Sequence, residues 1–274
     1  MWGLLMFSFK YLEMPFPNVQ LSSRPLHFIY ICDCSGSMAA HGKMQSLNQS
    51  IRQSIPGMAE VAHQNPEARV LVRAVSFSDR AQWHISIPTP IDILTWTDLK
   101  AGGITAMGEA LDLVAQQLKT PPMEERALPP VLVLISDGQP TDDFSSSLKL
   151  FMREPWAQKA VKISIAMGHD ADIDVLQEFI GPNLDADPVY NKIPGDSGQL
   201  ILNNSSKSPR KPLLATNATT LAQFIQWSST AVINAATMPL TRQVGENQIV
   251  GNIHLPDLPP TMTYPINDVE TLVW

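Results

Sequence analysis

The chain alternates short apolar runs with segments whose apolar residues recur at helical spacing. HFIYICD, residues 27–33, is apolar on both faces and rich in strand formers, the pattern of a strand buried from two sides. Met44, Leu47, Ile51 and Ile55 then recur with the helical period, and Pro56-Gly57 marks a kink or an end, with residues 58–63 adding another turn. RVLVRAVSFS predicts a second strand. AQWHISIPTP predicts a third at a sheet edge, where Pro88 and Pro90 are tolerated. The short link between these two predicts a hairpin, hence one antiparallel member. Met107, Leu111, Val114 and Leu118 mark the next helix, and VLVLISD is the clearest strand of all. A helix over 144–156, a strand at KISIAMG and a short helix over 172–180 follow.

Residues 181–216 interrupt this rhythm with Pro, Asn, Ser, Asp and Gly, and GQLILNN within them reads as a small strand. A last helix over 220–233 places Leu221, Phe224, Ile225, Ser228 and Val232 on one face. Strands separated by helices imply crossover connections. The expectation is an α/β fold with a mainly parallel sheet of about six strands, one antiparallel edge strand, and helices on both faces. Its domain spans 22–235, with an insertion at about 181–216. Residues 1–21 form an N-terminal extension, of which the first 13 read as mobile or as a start-site artefact. Residues 236–274, with prolines at 239, 256, 259, 260 and 265, form an extended tail that ends in the apolar ETLVW.

Composition narrows the function classes. Apolar residues make up 44% of the 274, enough for a sizeable core. The net charge is −7 and the only basic group is the short Lys207, Arg210, Lys211 set, which argues against a nucleic-acid grip. No stretch approaches the roughly 20 apolar residues of a membrane span. The N-terminus lacks the basic region and cleavage site of a signal peptide. Cys32 and Cys34 are too close for an unstrained disulfide and have no further soft ligand nearby, so both are expected to be reduced at the end of a buried strand. The expected location is cytoplasmic.

Three loops at the carboxyl ends of strands carry oxygen donors, and ligands of open parallel sheets bind at that edge. They are Asp33-Cys34-Ser35-Gly36-Ser37, Gly102-Gly103-Ile104-Thr105, and Asp137 to Asp143. Alternation lets Asp33, Ser35 and Ser37 point the same way, and Gly36 permits a tight turn. Two carboxylates and three hydroxyls suit a hard ion: Mg²⁺ first, with Mn²⁺ also fitting and Ca²⁺ less well because it takes more ligands. Asp33, Ser35, Ser37 and Thr105 are the expected metal ligands, and Asp137 acts directly or through a water. An ion with so few protein ligands has room for one more anionic oxygen. A lysine of the same chain filling the pocket would contradict this reading. The pair Asp142-Asp143 reads chiefly as a helix start.

Asp33-x-Ser35-x-Ser37 with Thr105 and Asp137 resembles the metal-ion-dependent adhesion site of von Willebrand factor type A domains, at all five ligand positions and over residues 22–235. PNVQLSSRPLHFIYICDCSGSM, SDGQPTDDF and AQFIQWSSTAV are similar to the bacterial tellurium-resistance (TerY-like) subgroup. The resemblance implies a Rossmann-like fold and a metal-dependent, non-catalytic role in binding a partner with an exposed Asp or Glu. It also implies a cytoplasmic stress or tellurite-resistance system that includes a kinase and a phosphatase.

Two enzymatic readings compete. Ser35, Asp137 and His169 come in the chain order of an α/β-hydrolase triad, but the turn reads C-D-C-S-G-S rather than G-x-S-x-G. A Mg²⁺-dependent phosphoryl-transfer enzyme would need a nucleophilic aspartate with an acid two residues on, where Asp33 has Ser35, or a P-loop, and Gly36 lies one position too far from Gly42-Lys43 to make one.

Overall fold

The computed structural model describes residues 23–181, 211–237 and 258. Within them, β1 (Arg24–Asp33) leads through a 3-10 turn (Gly36–Gly42) into α1 (Lys43–Gln64). Next come β2 (Ala68–Phe77), β3 (Ala81–Pro90) and α2 (Met107–Gln117). Then follow β4 (Val131–Ser136), α3 (Phe144–Phe151), α4 (Pro155–Lys159), β5 (Val161–Met167) and α5 (Ile173–Ile180). Two further elements, β6 (Leu213–Ala215) and α6 (Ala218–Thr237), complete the set.

The strands form one six-stranded sheet in the order β3-β2-β1-β4-β5-β6. Only the β2–β3 pair is antiparallel, so β3 is the expected antiparallel edge. Its register shifts twice, between Val72 and Ala74, opposite the stretch that holds Pro88, and again between Ala74 and Val75; a proline cannot donate to the ladder at the first of these.

The two-sided apolar character of β1 has a direct structural cause. Leu26, Phe28, Tyr30 and Cys32 face one core, packed under α1 and α6. Ile29 and Ile31 face the other, packed under α2, α3 and α5. Helices therefore cover both faces, as the crossover argument requires.

Four expectations change. Pro56 does not end α1, which runs from Lys43 to Gln64 and so includes residues 58–63. The helix gives up the backbone bond that Pro56 cannot donate, and Gly57 beside it lets α6 approach closely. A Cβ on Gly57 would stand 2.5 Å from Nε2 of Gln226. The helix over 144–156 is two helices, because Pro155 starts a new one with its ring at the first turn. The sixth strand of the sheet is Leu213–Ala215, parallel to β5, while GQLILNN lies outside the described residues. The last helix continues to Thr237.

The N-terminal extension, most of the insertion and nearly all of the tail also lie outside the described residues. Leu258 of the tail is half-buried against the same core as α1 and α6. No helix among the described residues is long and apolar enough to cross a membrane.

Candidate functional site

The order of strands places the site. The chain runs from β1 outward to β2 and β3, then returns to lay β4, β5 and β6 on the other side of β1. The carboxyl ends of β1 and β4 therefore flank the point where the winding reverses, which opens a crevice at the sheet edge. Cys32 pairs with Ile135, so Asp33 and Ser136 stand level at that crevice, with Asp137 one residue beyond.

Asp33 is fully buried and its two oxygens are held separately. Oδ1 accepts a hydrogen bond from the Ser35 backbone N–H at 2.7 Å. Oδ2 accepts one from the Ser136 hydroxyl at 2.5 Å. Burial pushes the Asp33 carboxyl above its ordinary value of 3.8, hydrogen bonds from Ser136 and Ser35 pull the other way, and the nearby charge of Asp137 raises it further. Ser35 and Ser37 lie side by side, their Oγ atoms 2.9 Å apart. The Ser37 hydroxyl donates to Asp137 Oδ1 at 2.7 Å. Four of the five predicted donors are thus linked within one turn of chain and the start of the next loop.

Thr105 completes the group. An added Cβ on Gly138 would lie 3.3 Å from Thr105 Oγ1 and 3.4 Å from Asp33 Oδ2, so both oxygens border the same small space. Thr105 is buried. Its loop is pinned to β1 by Gly36 N–H donating to Gly103 O at 2.9 Å and Gly102 N–H donating to Cys34 O at 2.8 Å. Gly36 is needed there, since a Cβ would meet Gly103 O at 3.3 Å. Asp79 supports the same loop from below by accepting Ile104 N–H at 3.0 Å.

Asp142 and Asp143 divide the helix-start role between two helices. Asp143 caps its own helix α3, accepting from Ser146 N–H. Asp142 reaches across to α2, where it accepts from Gly108 N–H at 3.0 Å and Glu109 N–H at 2.8 Å. Thr141 adds two bonds to Thr105: its N–H donates to the Thr105 carbonyl at 2.9 Å, and its hydroxyl accepts from the Thr105 N–H at 3.1 Å. The third loop is therefore fastened to the second.

A cation of the same chain does reach this site. Lys43 Nζ lies 2.7 Å from Asp137 Oδ2 and 3.3 Å from Asp170 Oδ1. It takes one oxygen of one donor, while Asp137 Oδ1 still faces Ser37. Among the described residues Lys43 forms no hydrogen bond with Asp33, Ser35, Ser37 or Thr105. His169 is exposed and bonds to neither Ser35 nor Asp137, so the three residues of the hydrolase reading are not joined as a triad.

Sequence reasoning missed Lys43, Ser136, Asp79 and the cross-loop role of Asp142. Lys43 carried one signal, a basic residue opening a helix against its dipole. Of the tryptophans, Trp96, Trp156 and Trp227 are buried, and Trp83 lies under the Arg73 guanidinium at 3.9 Å. Cys32 and Cys34 are buried and free. No group of three or more His, Cys, Asp or Glu among the described residues is arranged to hold a metal. An ion at this rim would depend on Asp33 and Asp137 together with the hydroxyls of Ser35, Ser37 and Thr105.

Comparison with known proteins agrees with the architecture. The pilus adhesin SpaC from Lactobacillus rhamnosus GG superposes with a TM-score of 0.51 at 12% identity, covering 78% of this chain and 31% of that one. A D319A mutant of the PilB minor pilin from Streptococcus sanguinis gives 0.50 at 14% identity, covering 84% of this chain and 65% of that one. Proximal thread matrix protein 1 from the mussel byssus gives 0.50 at 12% identity, covering 78% and 49%. The chain thus spans less than two thirds of the length of each of these structures. Comparison with curated proteins gives no match. Residues 29–192 match the model of the von Willebrand factor type A domain, and the chain belongs to that family.

Proposed function

We propose that this chain is a divalent-ion-dependent protein-binding module that captures a carboxylate of a partner at the β1–β4 rim. Type A domains commonly mediate protein–protein contact, and the donor set extends that general role to a specific chemistry. The observation that carries the reading is the convergence of five oxygen donors, with the Thr105 hydroxyl and Asp33 Oδ2 bordering the same small space. Hard oxygen donors around a small polar space suit Mg²⁺ or Mn²⁺, with Ca²⁺ a weaker fit.

Asp33, Ser35, Ser37 and Thr105 would hold the ion, and Asp137 would serve as fifth ligand or through a water. When bound, the ion supplies a Lewis-acidic place for one further oxygen, here an Asp or Glu side chain of another protein. The chain's own residues prepare for this. Ser136 and Ser35 N–H fix the Asp33 carboxylate. Gly36 and Gly103 bring the Thr105 loop against β1. The proposed setting is a cytoplasmic bacterial stress or tellurite-resistance system of the TerY-like kind, with a kinase or phosphatase of that system as partner. The proposed role is non-enzymatic. The serine-hydrolase alternative gains no support from His169, which bonds to neither Ser35 nor Asp137, and the Mg²⁺-dependent phosphoryl-transfer alternative lacks the P-loop spacing at Gly36 and Gly42-Lys43.

Retention of a partner from source-cell extract by the immobilised chain tests this reading. The wild type should retain a protein in Mg²⁺ and release it in EDTA, and Asp33→Ala should retain none while remaining folded. Retention unaffected by both EDTA and Asp33→Ala would contradict it.

A further inference from the structure

Among the described residues Lys43 is the only buried lysine. Its side chain is 3% exposed and that of Asp137 0%, at an Nζ–Oδ2 distance of 2.7 Å. Nothing in α1 itself asks for a lysine there. It opens the helix, where a positive charge meets the positive end of the dipole. Burial also costs a long flexible side chain most of its rotamer freedom.

The backbone is nevertheless shaped to deliver it. His41 and Gly42 both take left-handed conformations, φ 52° and 75°, and turn the chain into α1 just before Lys43. On the opposite side Gly168, at φ 96°, leaves room for the ammonium, since a Cβ there would lie 3.2 Å from Nζ and 2.6 Å from Asp170 Oδ1.

We propose that Lys43 is a tethered counter-cation of the rim, which neutralises Asp137 in the ion-free protein and thereby weakens the affinity of the site for a divalent ion. The inference rests on the metal-site reading above. Two ionised aspartates and one ammonium give the buried site a charge of −1 instead of −2. Asp170, with a side chain 69% exposed, is largely screened by water. A divalent ion then brings the site to +1, and one partner carboxylate brings it to zero. The lysine therefore disfavours the ion alone and favours the ion together with an anionic ligand, coupling the two binding steps.

Thermal-shift titrations with MgCl₂ on the wild type, Asp33→Ala, Lys43→Met and Lys43→Gln test the proposal. Both lysine variants should melt lower than the wild type without ion. Both should bind Mg²⁺ with a midpoint about tenfold lower, because a unit charge beside a dication has been removed from a buried site. A variant unfolded without ion that folds as Mg²⁺ is added supports the proposal equally. It is overturned if either variant has a midpoint equal to or higher than the wild type, or stays unfolded at every Mg²⁺ concentration. The wild type separates this failure from that of the metal site. A wild type that does not respond to Mg²⁺ ends both readings. A wild type that responds, an Asp33→Ala that does not, and a lysine variant no tighter than the wild type end this one alone.

Discussion

Asp33 is a carboxyl buried at the rim whose charged form burial disfavours, and hydrogen bonds from Ser136 and Ser35 offset that in part. A carboxyl held above its ordinary value binds its proton more tightly in the native than in the unfolded chain. Its contribution to stability therefore falls as pH rises out of the usual carboxylate range, so the ionised form at neutral pH is a cost that a bound cation would relieve. Ser136 is the main restraint, because its hydroxyl donates to Asp33 Oδ2 and accepts Gly138 N–H at 3.1 Å. Ser136→Ala should cost on the order of 1 kcal/mol of stability. Through the loosened carboxylate it should also weaken Mg²⁺ binding roughly 10- to 100-fold, as loss of a residue that orients a ligand does. Paired denaturation and Mg²⁺ titration measure the two effects. A Mg²⁺ midpoint unchanged in a folded Ser136→Ala protein would show that the hydroxyl does not orient Asp33 for an ion.

Loops and helices hold the donors by cross-bracing, and Asp142 is the brace that can be tested in isolation. It caps α2 from another loop, while Thr141 ties Thr105 to that same loop. Asp143, one residue on, caps only α3. Asp142→Ala should destabilise the protein by about 1 kcal/mol and also weaken Mg²⁺ binding, because the first turn of α2, which follows the Thr105 loop, loses two bonds to the third loop. Asp143→Ala should lower the melting temperature and leave the Mg²⁺ midpoint unchanged. Equal Mg²⁺ midpoints in the two variants would mean that the brace does not position Thr105. The same contrast explains what the chain discloses by itself. Both aspartates read as helix starters, since local charge and spacing are identical for the two. Which helix Asp142 serves depends on tertiary placement that no local pattern encodes. The break before Pro155 was likewise overridden by an apolar period that continues across it, and β6 is three residues long, too short to show any period.

In the molecule as a whole, the strands and long helices were legible because burial on two faces leaves a compositional mark, clearest in β1 and β4. Asp33, Ser35 and Ser37 were legible as a single turn, and Thr105 and Asp137 because strand ends in a doubly covered sheet converge on one edge. Lys43 was not, because a lone lysine at a helix start gives no hint that it will be buried against a carboxylate ninety-four positions away. The topology thus assembles one acidic, hydroxyl-lined crevice from three distant segments and sets one internal cation at its side. A crystal of the chain grown with Mn²⁺ in place of Mg²⁺, measured for anomalous scattering, tests whether that crevice is a metal site. The account predicts a strong peak bordered by Asp33, Ser35, Ser37 and Thr105, with ligand distances near the ~2.1 Å of a small hard dication. An empty crevice with Mn²⁺ bound elsewhere, or with the Lys43 ammonium standing among those four residues, would contradict it.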